Sequence, residues 1–471
     1  MARTIIINGN VVSASGTHQA TVVVDGETIS ALLNPGSKED VAVRKSKANV
    51  IDAKGKYVIP GGIDVHTHME MPFGGTYSSD TFETGSRAAA WGGTTTIIDF
   101  AVQQKGGTLQ SALDTWHDKA KNQCAIDYAF HMIVADVNND SLKEMESLVS
   151  QGITSFKLFT AYPGVLYSTD GEIYRAMQRG SQLGAMIMMH CENGIVIDEI
   201  VKDHVERGET APVYHSISRP VEMEAEATYR CIQMAKITGC QMYVVHLSCQ
   251  EALDHVMDAR DKGFPIYTET CPQYLFRSID DLAREGLDGF EGANFVCSTP
   301  LRDKEQHEKL WRGIRFDDIA VVSTDHCPFC FKEQKILGKD NFAKIPNGMA
   351  GVEHRMDLLY KGVTEGNLSV ERWVEISATT PARLFGMYPK KGVIAPGSDA
   401  DIVIYDPKAK QKLSAKTHHM AVDYSAYEGE VINGRCDVVM SRGRVVIENK
   451  KYVGTKGDGK FISRGLSQRI A

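Results

Sequence analysis

The chain has 471 residues, too many for one small core, so a large domain joined to a smaller one is expected. A formal net charge of -8 with no basic stripe excludes nucleic acid and an anionic membrane as expected partners and leaves small-molecule chemistry. No stretch approaches the ~18 apolar residues of a membrane span, and the apolar run in MARTIIINGNVV is too short for a signal-peptide core, so a cytoplasmic protein is expected.

Residues 1–58 alternate short β-branched runs with turn signals: 4–7 before Asn8-Gly9, 21–24 before Asp25-Gly26, and 50–52 before Lys54-Gly55. These strands do not complete a module. Strand patterns at 401–405 and 438–447 supply what is missing, so a small β-sandwich domain built from both termini (1–58 and 386–445) is predicted, with 446–471 as a surface tail.

Between them, residues 59–385 repeat apolar strand, loop and helix. Strands are predicted at 57–66, 94–100, 127–134, 154–160, 185–191, 242–248, 265–271 and 319–325. Segments such as 109–122, 171–183, 221–238 and 251–262 carry helical spacing, so the strands must run parallel. Eight strand–helix units in an α/β chain fit a closed (β/α)₈ barrel. The rival, an open doubly wound sheet, lacks its G-x-G-x-x-G after the first strand.

A barrel enzyme places its chemistry at the C-terminal ends of the strands, and the polar residues of this chain gather there. His66 and His68 close the first strand, where a period of two turns both imidazoles to one face. Lys157 lies in the fourth strand, His190 in the fifth, His246 in the sixth and Asp325 in the eighth. Singly, each histidine reads as a core residue satisfied by a carbonyl, and Asp325 as a turn cap. Together, imidazole and carboxylate are the ligands zinc and similar ions prefer.

Lys157, between Phe156 and Leu158, would be buried as an ammonium or shifted strongly downward. It could reach solvent, form a Schiff base, or take up CO₂ as a carbamate whose two oxygens bridge two metals. Four histidines, a carbamate and an aspartate are too many for one tetrahedral ion and about enough for two. The ten cysteines show no regular framework and read as reduced, buried thiols, with Cys327-Pro-Phe-Cys330 as a minor redox or zinc candidate.

The motifs PGGIDVHTHMEMPFGG, AWGGTTTIIDF, FKLFTAYPGV, MMHCENG, YVVHLSC, ETCPQYL, STDHCPF, IPNGMAGVEHR and THHMAVDYSAYEG, in this order, resemble the amidohydrolase superfamily. The likeness is to its cyclic amidohydrolases, the D-hydantoinases and dihydropyrimidinases. It implies two zinc ions bridged by carboxylated Lys157 and a hydroxide, one held also by His66, His68 and Asp325, the other by His190 and His246. Asp325 would shuttle the proton, and Tyr162 would stabilise the oxyanion. Ser298, Thr299 and Asn347 would bind the ring imide, while Met71, Phe73, Phe159 and the loop through Val165 and Leu166 would meet the exocyclic substituent. The substrate would be a small cyclic amide and the assembly a homotetramer or homodimer, with the tail reaching a neighbouring subunit.

Dihydroorotases resemble the pattern but carry arginine two residues after the second histidine, where this chain has Glu70. Allantoinase is a closer rival. Collapsin-response mediator proteins share the fold as non-enzymes and lack the full set of metal ligands, all six of which stand here.

Overall fold

The computed structural model describes residues 3–470. Eight strands form one parallel sheet in chain order: β1 (Gly62–Thr67), β2 (Thr94–Val102), β3 (Asp127–Ile133), β4 (Ser155–Phe159), β5 (Met186–His190), β6 (Met242–Val244), β7 (Ile266–Thr270) and β8 (Val321–Val322). The ring closes just beyond the strand ends, where the His68 N–H donates to the His326 carbonyl at 2.9 Å and the His326 N–H to the His66 carbonyl at 3.3 Å. The (β/α)₈ barrel is therefore present, and each strand is buried along its length because helices cover the outer face.

Both ends of the chain build the small β domain. Its nine strands include Thr4–Ser13, Gly16–Asp25 and Thr28–Leu33 from one end and Ile402–Asp406, Arg435–Ser441 and Arg444–Glu448 from the other. Ile6, Val11, Val22, Val58, Ile402, Ile404 and Val438 form its core. The helix Lys38–Arg44, capped by Ser37 and with Val43 buried against Ile5 and Val23, has no counterpart among the predicted elements.

The predicted first strand, 57–66, is two strands with different partners. Tyr57–Pro60 pairs antiparallel with Ile402–Asp406 in the β domain, and Gly62–Thr67 pairs with β2 in the barrel. Gly61 sits at the break, where a Cβ would lie 2.1 Å from the Thr95 hydroxyl, so the chain crosses between domains at a point only glycine fits.

The tail is mostly exposed and is anchored at a few points. Arg444–Glu448 and Lys451–Tyr452 complete the β sheet, and the chain then runs beneath the barrel. The Tyr128 N–H donates to the Lys460 carbonyl at 3.0 Å, and the Ile462 N–H donates to the Tyr128 carbonyl at 2.8 Å. Arg464, 3% exposed, donates to the Phe130 carbonyl at 2.6 Å and the Ser155 hydroxyl at 2.8 Å. Of residues 451–470 only Ile462 and Arg464 are buried, so a Gly- and Lys-rich surface segment is held by two side chains and a few backbone bonds.

All ten cysteines are unpaired, and nine are buried. Among the described residues, no helix is long and apolar enough to cross a membrane.

Candidate active site

β1 carries His66 and His68 to the rim with their rings 5.0 Å apart. The Glu269 carboxylate, at the end of β7, engages His66 Nδ1, so the ring's lone pair is on Nε2. That atom stands 3.1 Å from Asp325 Oδ1 and 2.9 Å from Lys157 Nζ. His68 Nε2 is 3.2 Å from the same Asp325 oxygen. On the other side, Glu192 engages His190 Nε2 at 2.6 Å, which turns His190 Nδ1 toward His246 Nε2 at 2.9 Å.

Burial holds the imidazoles of His66, His68 and His246 far below their ordinary protonation range, so they are neutral nitrogen donors. Lys157, 2% exposed in β4, is pushed by burial down to about 8, against the pull of Asp325 and Glu269. The predicted residues thus converge within hydrogen-bond distance of one another, and the buried Nδ1 atoms of His68 and His246 have no hydrogen-bond partner. Imidazole nitrogens, a carboxylate and an amine gathered this closely fit two divalent ions.

His246 and Asp325 lie just past the last ladder residues of β6 and β8, not inside the strands as predicted. Their φ values are 38° and 51°, and those of Tyr162 and Glu70 are 62° and 53°. Left-handed backbone at a non-glycine residue costs on the order of 1 kcal/mol, and here it recurs around one site. The bends turn His246 and Asp325 inward from strands that have already ended.

Above the cluster is a narrow cleft lined by Met71, Phe73, Phe159, Tyr162, Ser298 and Asn347, among others. Tyr162 packs edge-on to Phe73 at 5.4 Å and against His190 at 5.4 Å. Its hydroxyl is placed to hydrogen-bond with Ser298 and Asn347, and burial raises its pKa well above the usual phenol range. The Asn347 amide donates to the Ser298 hydroxyl at 3.2 Å. Thr299 lies outside this lining. Its hydroxyl donates to the His246 carbonyl at 2.9 Å and so braces the backbone there. Val165 is exposed and belongs to the wider vestibule outside. Glu70 is absent from the cleft lining, and its carboxylate accepts the Phe82 N–H at 3.2 Å at the start of a helix.

A layer of acids behind the cluster has no role in the sequence-based reading. Asp99 accepts from the Thr67 hydroxyl and the Met69 N–H, each at 2.8 Å, and from Trp116 at 2.9 Å. Asp64 receives the Thr324 hydroxyl at 2.6 Å, and Asp80 holds His326 at 2.9 Å. The signal available for Asp64, Asp99 and Glu269 was an acid inside a buried strand, as in GIDVHT, TTTIIDF and IYTET, whereas Asp80 lies outside any strand. A second acidic group, Asp127, Asp399 and Asp401, has the spacing of a metal site but is filled by the Lys391 ammonium, at 2.8, 3.1 and 2.6 Å.

The profile of the amidohydrolase family matches residues 57–446. A D-hydantoinase of Streptomyces coelicolor is 58% identical over 469 residues, covering 100% of this chain and 99% of the relative. A crystal structure of a dihydropyrimidinase from Brevibacillus agri superposes with a TM-score of 0.95 at 46% identity, covering 99% of this chain and 100% of that one. An L-hydantoinase structure from Arthrobacter aurescens gives a TM-score of 0.87 at 30% identity, covering 98% and 100%.

Proposed function

The chain belongs to the amidohydrolase family, and from that premise we propose that it hydrolyses the ring amide of hydantoins and dihydropyrimidines, giving N-carbamoyl amino acids. The observation that carries this reading is the facing of neutral imidazoles, Lys157 and Asp325 at one end of the barrel, beneath a cleft lined by Tyr162, Ser298 and Asn347.

The donor set would hold two divalent ions, with zinc suited to imidazole and carboxylate. His66, His68 and Asp325 surround one position, His190 and His246 the other, and Lys157 stands between them. Burial lowers the Lys157 pKa to about 8 and so raises the fraction of neutral amine, which adds CO₂ to give a carbamate and one released proton. When bound, such a metal pair supplies activated water at neutral pH and polarises an amide carbonyl.

The chain's own groups carry the rest. Asp325 accepts the water's proton and returns it to the leaving ring nitrogen. The Tyr162 hydroxyl, kept protonated by burial, donates to the developing oxyanion. Ser298, Thr299 and Asn347 hold the imide, largely through backbone groups, and Met71, Phe73 and Phe159 meet the substituent. Glu70 in place of an arginine removes the partner that a carboxylate-bearing ring would need.

Self-association as a homotetramer or homodimer is part of the same proposal and rests on the likeness to the hydantoinase relatives. A cytoplasmic location is supported by ten unpaired thiols. The deciding experiment is an activity panel of dihydrouracil, 5-substituted hydantoins and allantoin on zinc-loaded enzyme. Ring opening of either of the first two classes is expected, and turnover of allantoin alone would overturn the proposal.

A further inference from the structure

Two stretches bring the imide-facing residues to the cleft, and neither is a strand or a helix. Val296–Thr299 follows the short turn Glu291–Phe295, and Pro346–Gly348 follows Phe342–Lys344. Between themselves they share the Gly348 N–H donated to the Val296 carbonyl at 3.0 Å and the Asn347 bond to Ser298. Two loops held by so little would shift relative to one another.

Lys335 supplies the missing restraint. Its Nζ lies 3.0 Å from the Val296 carbonyl, 2.7 Å from that of Pro346 and 2.8 Å from that of Gly348. The side chain is 0% exposed. An ammonium has three protons, and here each has one carbonyl. Pro346 and Gly348 flank Asn347, and Val296 stands two residues before Ser298, so the grip falls beside the recognising residues.

The charge is costly where it lies. Burial pushes the ammonium down to about 7, and among the described residues no carboxylate lies within ion-pair distance, which leaves the three carbonyls as its partners. Packing alone would be served better by an apolar side chain of the same length. What an apolar side chain cannot do is satisfy three carbonyls from two loops at one point.

We infer that Lys335 is a positioning residue for imide recognition: it fixes the spacing between the Ser298 and Asn347 sides of the cleft before substrate arrives. It touches no substrate atom and acts through those loops. The inference rests on the proposed hydrolysis of cyclic imides.

The test compares zinc-loaded wild type, Lys335→Met and Lys335→Gln on dihydrouracil and a 5-substituted hydantoin, with metal content and melting temperature recorded. For Lys335→Met, KM is expected to rise about tenfold or more while kcat stays within about threefold, the pattern of lost binding geometry. Lys335→Gln, which keeps an amide donor, should fall between. A lower melting temperature with unchanged KM would mean that the lysine is only structural and would overturn the inference, as would a fall in kcat at constant KM. If neither variant folds, hydrogen exchange on the wild type decides. The Gly348 amide should be protected without ligand and gain little when a competitive imide binds, and free exchange until the imide binds would refute a preset spacing. Wild type that opens neither ring defeats the functional proposal itself, a result distinct from variants that match an active wild type.

Discussion

Glu269, at the end of the seventh barrel strand, holds His66 of the first strand by Nδ1, and the same carboxylate receives the Tyr243 hydroxyl at 2.9 Å and the His246 backbone N–H at 3.3 Å. One buried acid thus sets the tautomer of His66 and holds the backbone of His246. Glu269→Gln replaces the anion opposite His66 with a neutral amide. Zinc affinity is expected to fall about 10- to 100-fold, as for other outer partners of metal-binding histidines. Chelator-competition titration measures it, and unchanged affinity would refute the role.

Lys157→Ala removes the group that stands between the two proposed ion positions. Zinc stoichiometry should drop below two per chain, and ring opening should fall by about three orders of magnitude, the scale of losing activated water. Intact-protein mass with labelled CO₂ gives an independent readout. A wild-type enzyme without the carboxyl adduct, or an active alanine variant with metal bound, would contradict the bridging assignment.

Tyr162→Phe keeps the ring between Phe73 and His190 and deletes only the hydroxyl. If that hydroxyl meets the oxyanion, kcat falls about 10²- to 10³-fold with KM and melting temperature little changed. A change in KM alone would make Tyr162 a binding residue.

Met71→Ala and Phe73→Ala enlarge the apolar side of the cleft. Relative kcat/KM for bulky against small 5-substituents is expected to rise about 10-fold, the usual worth of a few methylenes in such a pocket. Equal effects on small and bulky rings would remove these residues from the specificity wall.

Asp357 links the domains by accepting from the Tyr405 hydroxyl at 2.9 Å and the Gln411 amide at 2.8 Å, and burial pushes its carboxyl from the ordinary 3.8 up to about 7. Between those values the folded chain keeps a proton that the unfolded chain has released. Its contribution to stability is therefore full below about pH 4 and lost as pH rises through 7. Asp357→Asn should remove this slope, gaining on wild type by on the order of 2 kcal/mol between pH 5 and pH 8. Urea midpoints at the two pH values check it, and parallel pH profiles would exclude the effect.

The barrel is legible in the sequence because its strands are continuous apolar runs bounded by helices, a pattern set by burial on both faces. The six converging residues are legible for a related reason. Lysine between Phe156 and Leu158, or histidine closing MIMMH, is a polar group where desolvation forbids one without a partner. Glu269 and Asp99 follow the same rule, yet one acid in a strand names no partner, and the supporting layer emerges only once distant strands meet. The break at Pro60-Gly61 was hidden because strands of the two domains abut in one apolar run. Helix Lys38–Arg44 was too short to show a period. The left-handed turns at His246 and Asp325 answer to the site's geometry and leave no mark in residue type.

Arg464 plugs the floor of the barrel, donating to carbonyl and hydroxyl groups on β3 and β4. Residues 456–470 follow every barrel strand in the chain. The floor is thus built from a segment that follows in the chain all the elements it seals, so a chain truncated before Arg464 keeps all six residues of the site but lacks the donor that ties β3 to β4 from below.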